Sequence, residues 1–507
     1  MNTVFPKGDA KMFRHITPEE AGISSANILE FMKVFEYYNL SVHSMIMARG
    51  NDIFTECYYA PFNAGTKHRM YSISKTFIAV AAGLLIEDGK LSLDDKLYDF
   101  FPEYHSELHS QMFKDATIRD MLTMESPMFD KFHMFKYKPS DRAKLYFDKA
   151  GDHHPGTMFD YDSPGSYMVC AVVEKICGKP ILDFMRERFL DDIGFSKEAY
   201  SIGVPGGYTF ADSGFMCTSM DLLRFARFML NGGTWNGKRY MNEAFLIEAT
   251  SKLVDNSVFG THQYNSMGYG YLTWRSYDDG FALVGMGDQF AVCDPAHDFI
   301  FVITADNQGN ADFSRAILFH ELYKTIVHKL TPDASPVPEN KQAYDELCDY
   351  IKNAKLVHTL GEKTVPFADE LCGKTYRLES NRMGIQSFCL EFDKKGEKGT
   401  IRYVNEQGEK NFDFGFGYNI FGKFPQDGYA NLMATVPEPG YRYECAFSAA
   451  WVEQKKLRIY VQSIDKHMGK LSMVFGFKDE KVTVKMTTNA QGFFEEYTGF
   501  ANGYLDE

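Results

Sequence analysis

The sequence predicts an α+β protein: an antiparallel sheet flanked by helices in the larger first part, then an all-β sandwich or barrel. Three observations carry this. Strand signals stand at both ends of the first 330 residues with helical periodicity between them, the pattern of one sheet built from both termini and covered by helices. The run Thr331–Asn340, with Pro332, Pro336 and Pro338 among polar residues, punctuates the chain. Beyond it, short strand-like runs recur between Gly, Asn and Asp turns. The expected organisation is therefore a first domain over 1–330, a linker over 331–341 and a β-rich domain over 342–507.

Taken in order, Val42–Ala48 and Ile53–Ala60 read as a hairpin around Arg49–Asp52. Ile73, Phe77, Val80, Ala81, Leu84 and Leu85 recur at three- and four-residue spacing, which predicts a buried helix through Thr76–Glu87, closed by Asp88-Gly89. A second helix starts at Pro164 with Ser163 as its N-cap, carries Met168, Val169, Val172, Val173 and Ile176, and stops at Gly178-Lys-Pro180. Phe281–Val292 and Phe299–Ala305 read as another hairpin, turning at Asp294–Asp298. Gln342–Leu356 is amphipathic enough for a bridging helix. In the tail, Lys374–Leu378, Ser387–Phe392, Gly399–Val404, Leu457–Gln462 and Lys481–Thr487 are strands, and Phe412, Phe414, Phe416, Tyr418, Phe421 and Phe424 read as their core.

Composition narrows the function classes. The 507 residues suffice for two domains, and 45% apolar with 24% charged residues is globular. A net charge of −14 argues against nucleic acid and anionic membrane as partners, because both demand clustered Lys and Arg. Met1–His15 has no apolar secretory core and no run approaches 18 apolar residues, so a cytoplasmic protein is expected. Nine cysteines without CxxC spacing suit packing thiols in a reducing compartment, with no metal expected.

The first chemical signature is Tyr71-Ser-Ile-Ser-Lys75, at the start of a buried helix. Positions i and i+3 share a helix face, so Lys75 can reach the Ser72 hydroxyl. A hydroxyl becomes a nucleophile when a base takes its proton, and an amine serves as that base once burial has brought its pKa below the reference of about 10.4. The helix N-terminus also favours negative charge on an acyl oxygen. The plain structural reading of Ser72 is an N-cap with an exposed lysine one turn on. Ser463-Ile-Asp-Lys466 has the same spacing and reads as a strand end. The second signature, His154-Pro-Gly-Thr-Met-Phe-Asp-Tyr161-Asp-Ser163, is a turn and an extended segment that put Tyr161 just outside a helix, where side chains project into clefts. His153 and His154 invite a Ser-His triad but lie in a polar turn without a placed acid, and the GxSxG elbow is absent from the sequence.

Together these pieces resemble the serine β-lactamase, penicillin-binding-protein and esterase superfamily, its class C-like branch above all, over roughly residues 16–326. Tyr71-Ser72-Ile-Ser-Lys75 followed by Asp88-Gly-Lys-Leu-Ser-Leu-Asp-Asp95 is similar to the family's SxxK helix. Pro155-Gly then Tyr161-Asp-Ser163 resembles its Pro-Gly and Tyr-x-Asn element, and Asp212-Ser-Gly-Phe-Met-Cys-Thr218-Ser-Met-Asp221 a structural segment. Pro18-Glu-Glu-Ala-Gly-Ile23 and Gly285-Met-Gly-Asp-Gln-Phe290 look most like the branch of 6-aminohexanoate-dimer hydrolase and related carboxylesterases. The resemblance implies a β-lactamase/transpeptidase-like fold, catalysis by Ser72 as nucleophile with either Lys75 or Tyr161 taking its proton, and no cofactor.

Two departures shape the expected substrate. The third family motif, usually Lys-Thr-Gly or His-x-Gly on a strand, reads Gly285-Met286-Gly287, so its cation is missing and recognition of a carboxylate weakens. Gly285 and Gly287 still allow backbone to approach a substrate, and the N–H of Asp288 would complete an oxyanion hole with the N–H of Ser72. Ser163 replaces the usual Asn, as substrate contact or helix cap. The expectation is a serine hydrolase forming an acyl-enzyme on esters or amides of small acyl substrates, ahead of a D-amino-acid peptidase acting on short peptides and a weak β-lactamase. A non-catalytic acyl-ligand sensor is the reading from another class, and assembly into a homo-oligomer stays open.

Overall fold

Val42–Arg49 is buried at every position, which a strand achieves only when both faces of its sheet are covered. In the computed structural model, which describes residues 13–128, 141–148, 151, 153–204, 207–260, 263–309, 311–426, 440–489 and 494–506, this strand lies mid-sheet. It pairs antiparallel with Asp52–Tyr58 on one side and with Phe299–Ala305 on the other. Gln289–Asp294, Phe281–Gly285 and Trp274–Arg275 continue the antiparallel order, while Arg14–His15 adds a short parallel edge. The two ends of the first unit thus meet at the sheet centre.

Alternation along the strands sends side chains to opposite faces. Ile46, Ala48, Ile300 and Val302 pack in one core with the helices Ser74–Glu87, Ser163–Cys177 and Ser219–Leu230. Met45, Met47, Phe301 and Ile303 enter a second core with the helices Ser25–Tyr37 and Ala311–Thr325. Thr218 and Asp221 form a reciprocal capping box that starts Ser219–Leu230.

The structure departs from the expected elements at several points. Phe281–Val292 is two strands, Phe281–Gly285 and Gln289–Asp294, because Gly287 (φ 77°) and Asp288 (φ 70°) turn the chain between them. The N-cap of Ser163–Cys177 is Asp162, and Ser163 is the first helical residue. Leu356 opens the second compact unit, 356–507, so the helix Lys341–Asn353 belongs with 1–355. Its Leu347 is buried and its Tyr350 hydroxyl donates to the Met32 carbonyl at 3.3 Å.

Residues 356–507 form a nine-stranded barrel. Its strand order runs from Gly408–Phe416 through Lys398–Asn405, Ser387–Phe392, Thr375–Leu378, Gly499–Leu505, Lys481–Asn489, Met468–Lys478 and Lys456–Ile464 to Glu444–Glu453. Parallel pairing of Gly415–Phe416 with Ser448–Ala449 closes it, and Ile420–Lys423 adds a tenth strand beside Glu444–Glu453. Phe412, Phe414, Phe416 and Phe424 belong to its core, whereas Tyr418 and Phe421 are exposed. Ser463 is the penultimate residue of the strand Lys456–Ile464, its hydroxyl donating to the His467 carbonyl. No helix among the described residues is long and apolar enough to cross a membrane.

Candidate active site

The local sequence explains how the hydroxyl of the first signature is presented. Tyr71–Ile73 forms a 3-10 turn that runs straight into the helix Ser74–Glu87, so Ser72 sits at the head of a helical stretch whose first N–H groups lack intrahelical acceptors. Tyr71 has φ of 47°, a left-handed backbone that a bulky residue rarely adopts. It is held there by burial and by the Arg69 guanidinium 4.5 Å from its ring centroid, while the Met70 N–H donates to the Phe215 carbonyl at 2.8 Å. Arg69 and Phe215 flank the turn from two short paired strands, His68–Arg69 and Phe215–Cys217.

One helical turn on, Lys75 is buried, 1% exposed. Its Nζ donates to Ser72 Oγ at 3.1 Å and to the Asp212 carbonyl at 2.6 Å, and stands 5.2 Å from the Tyr161 ring centroid. Three residues named from sequence, 89 positions apart at the widest, thus share one place. Tyr161 leaves its extended segment just before the helix Ser163–Cys177 and stacks on Trp274 at 5.5 Å between centroids.

Ser72 and Tyr161 open into a cleft of about 240 Å³. Phe259, Tyr264 and Trp274 give it aromatic walls, Val284, Gly285 and Met286 a backbone edge, and Asn265 and Arg315 polar groups. A larger hollow of about 670 Å³ around His105, His109 and Lys144 has hydroxyls engaged in local turns, Ser110 capping the helix Gln111–Asp115 and Ser106 accepting from the Leu108 N–H.

The other candidates divide. Gly285 lines the cleft, and a Cβ on it would stand 2.4 Å from the Met70 carbonyl oxygen, so this glycine lets the strand Phe281–Gly285 close against the Tyr71–Ser72 turn. Gly287 and Asp288 lie in the hairpin turn beside it, outside the residues lining the cleft. Asp288 is fully buried: its carboxylate accepts from Asn307 Nδ2 at 3.0 Å and Ser314 Oγ at 2.5 Å, while Asn307 N–H donates to the Gly287 carbonyl at 3.2 Å. Ser163 also lies outside the lining. His153 and His154 do too, and the His154 carbonyl accepts from Thr157 Oγ1 at 2.6 Å within the turn.

Sequence reasoning missed a cation. Arg315, from the helix Ala311–Thr325, brings a guanidinium to the cleft, 3.6 Å from Asp288 and with one 3.4 Å hydrogen bond to the Gly285 carbonyl. Both contacts are long for a fork of five donors. No spacing rule ties Arg315 to the third motif, so only the fold reveals it. Asp212, first noted as part of a structural segment, is buried directly behind Lys75; burial raises its carboxyl pKa, against the pull of Lys75, Arg142 and Arg69.

A central antiparallel sheet between helical layers, with a helix-borne hydroxyl and amine at its edge, is the β-lactamase/transpeptidase-like fold. The chain belongs to the β-lactamase family, a family of hydrolases: the family model matches residues 40–323, more than half its length. Among curated proteins it is similar to a 6-aminohexanoate-dimer hydrolase from Paenarthrobacter ureafaciens, 22% identical over 222 residues. That match covers 40% of this chain and 55% of the relative, so the chain spans about half the relative's length. Among solved structures, a penicillin-binding protein homologue from Caulobacter crescentus superimposes with a TM-score of 0.50 at 15% identity, covering 61% of this chain and 99% of the other. A family VIII carboxylesterase matches with a TM-score of 0.48 at 15% identity, over 63% and 99% of the two chains.

Proposed function

We propose that the protein is a serine hydrolase that cleaves esters or amides of small acyl substrates through an acyl-enzyme. Ser72 Oγ attacks the substrate carbonyl as its proton passes to Lys75, the Tyr161 hydroxyl hands a proton to the leaving group, and Lys75 passes the serine proton on to Tyr161. The C–O or C–N bond of the substrate breaks, and water then attacks the Ser72 ester, returning the free hydroxyl. The N–H of Ser72, at the head of the helical stretch, receives the oxyanion. The observation that carries this reading is the 3.1 Å contact from Lys75 Nζ to Ser72 Oγ in a cleft that Tyr161 also lines. The similarity to a 6-aminohexanoate-dimer hydrolase supports it.

The cleft suits a compact acyl group held against aromatic rings, and Arg315 favours one that carries a negative charge. Assayed with a panel of p-nitrophenyl esters, D-Ala peptides and nitrocefin, the wild type is expected to prefer the esters. Ser72→Ala is expected to lose hydrolysis by at least about 10³-fold; turnover that survives unchanged in this variant would remove the assignment.

A further inference from the structure

Behind Lys75, and unused by the proposed mechanism, Phe210, Asp212 and Ser213 are held by three buried cations. Lys75 Nζ donates to the Asp212 carbonyl at 2.6 Å. Arg69 Nε donates to the Ser213 carbonyl at 2.8 Å and its Nη2 to Ser213 Oγ at 3.2 Å. The Arg69 and Arg142 guanidinium carbons stand 5.3 and 4.8 Å from the Phe210 ring centroid. Lys75, Arg69 and Arg142 are each 3% exposed or less, and so is Asp212, whose carboxylate lies among them. Its Oδ1 has no hydrogen-bond partner among the described residues. A buried carboxylate oxygen with no bond to make contributes through charge.

The titratable groups facing Asp212 come from four elements. Lys75, Arg142 and Arg69 each draw its pKa down against the burial that raises it, while Tyr167 and Cys170, on the helix Ser163–Cys177, are thiol or phenol groups that burial holds neutral. Lys75 itself faces Ser72, the Tyr161 ring and Asp212. Lys75, Arg142 and Arg69 each interact with the Asp212 carboxylate, so its one negative charge is shared among three cations.

We propose that Asp212 is a positioning residue: its carbonyl fixes Lys75 Nζ beside Ser72, and its carboxylate, balanced against Arg69 and Arg142, sets the pH at which Lys75 can take the serine proton. This rests on Lys75 acting as base in the function proposed above.

The experiment is the pH profile of kcat/KM on a p-nitrophenyl ester, for wild type, Asp212→Asn and Arg142→Gln, with Ser72→Ala as control. Asp212→Asn keeps the carbonyl and the shape but removes the negative charge, so its acid limb is expected to move about one pH unit lower. Arg142→Gln removes a cation and is expected to move the limb the other way. A merely structural role would lower rate or stability without shifting the two limbs in opposite directions. Superimposable limbs in folded variants would overturn the proposal while leaving the serine assignment standing, whereas full activity in Ser72→Ala would overturn both. If Asp212→Asn does not fold, Arg142→Gln decides alone: a raised limb supports the charge balance, an unmoved one contradicts it.

Discussion

Tyr71, with its φ of 47°, comes immediately before Ser72, and a left-handed bulky residue costs on the order of 1–3 kcal/mol unless its surroundings hold it. Here burial and the Arg69 guanidinium hold it, and the next hydroxyl is turned toward Lys75. Sequence could reveal the Ser72–Lys75 pair because i,i+3 adjacency is a local property. It could reveal Tyr161 through the Pro-Gly turn and helix start around it. Nothing local marks Arg315, Trp274 or Phe259 as neighbours of that pair, since each arrives from a distant element. The recovered cation has a measurable consequence. Arg315→Ala is expected to lower kcat/KM on an ester whose acyl chain ends in a carboxylate by roughly tenfold or more, the value of one charged hydrogen bond. On a neutral ester of equal length the loss is expected to stay below about threefold, and equal losses on both would contradict charge recognition by Arg315.

At the scale of elements, the strands and helices that frame the site were legible as apolar runs of the right period, and their ends as Gly, Pro and capping residues. The hairpin at Met286–Asp288 was less so: Gly285, Gly287, Asp288 and Gln289 interrupt the apolar residues of Phe281–Val292, and the consecutive positive φ values at Gly287 and Asp288 make that interruption a turn. The same hairpin carries the test of how the site is closed. Gly285→Ala would set a Cβ 2.4 Å from the Met70 carbonyl oxygen and 3.0 Å from Gln289 Cβ, and backbone cannot rotate out of the way. The variant is expected to lose about 1–3 kcal/mol in a urea melt from overpacking. Esterase activity should fall by about 10²-fold as the strand edge moves off the Ser72 turn. Wild-type activity in Gly285→Ala would show that this close approach is dispensable.

For the whole molecule, the sequence located a β-rich tail by its rhythm of strands and turns, but not that its strands close on themselves. Closure depends on Gly415–Phe416 meeting Ser448–Ala449, and parallel pairing of distant segments leaves no periodic trace. The proline-rich run suggested a domain break at 331–341, yet the helix that follows it lays Leu347 and Tyr350 on the first unit. An amphipathic helix announces that it has a partner, not which one. Residues 356–507 own a core, from Phe388 and Leu390 through Trp451 to Val484, separate from the two cores of the first unit. Expressed alone, this segment is expected to melt in one cooperative transition followed by circular dichroism, as a domain with its own core does. A broad, non-cooperative melt would mean that the barrel depends on the rest of the chain.

Intact-protein mass spectrometry after incubation with a fluorophosphonate asks whether Ser72 is activated. A single adduct is expected on the wild type, made as Ser72 Oγ displaces fluoride from phosphorus, and none on Ser72→Ala. A folded wild type that stays unlabelled, or an adduct that persists in Ser72→Ala, would contradict an activated Ser72.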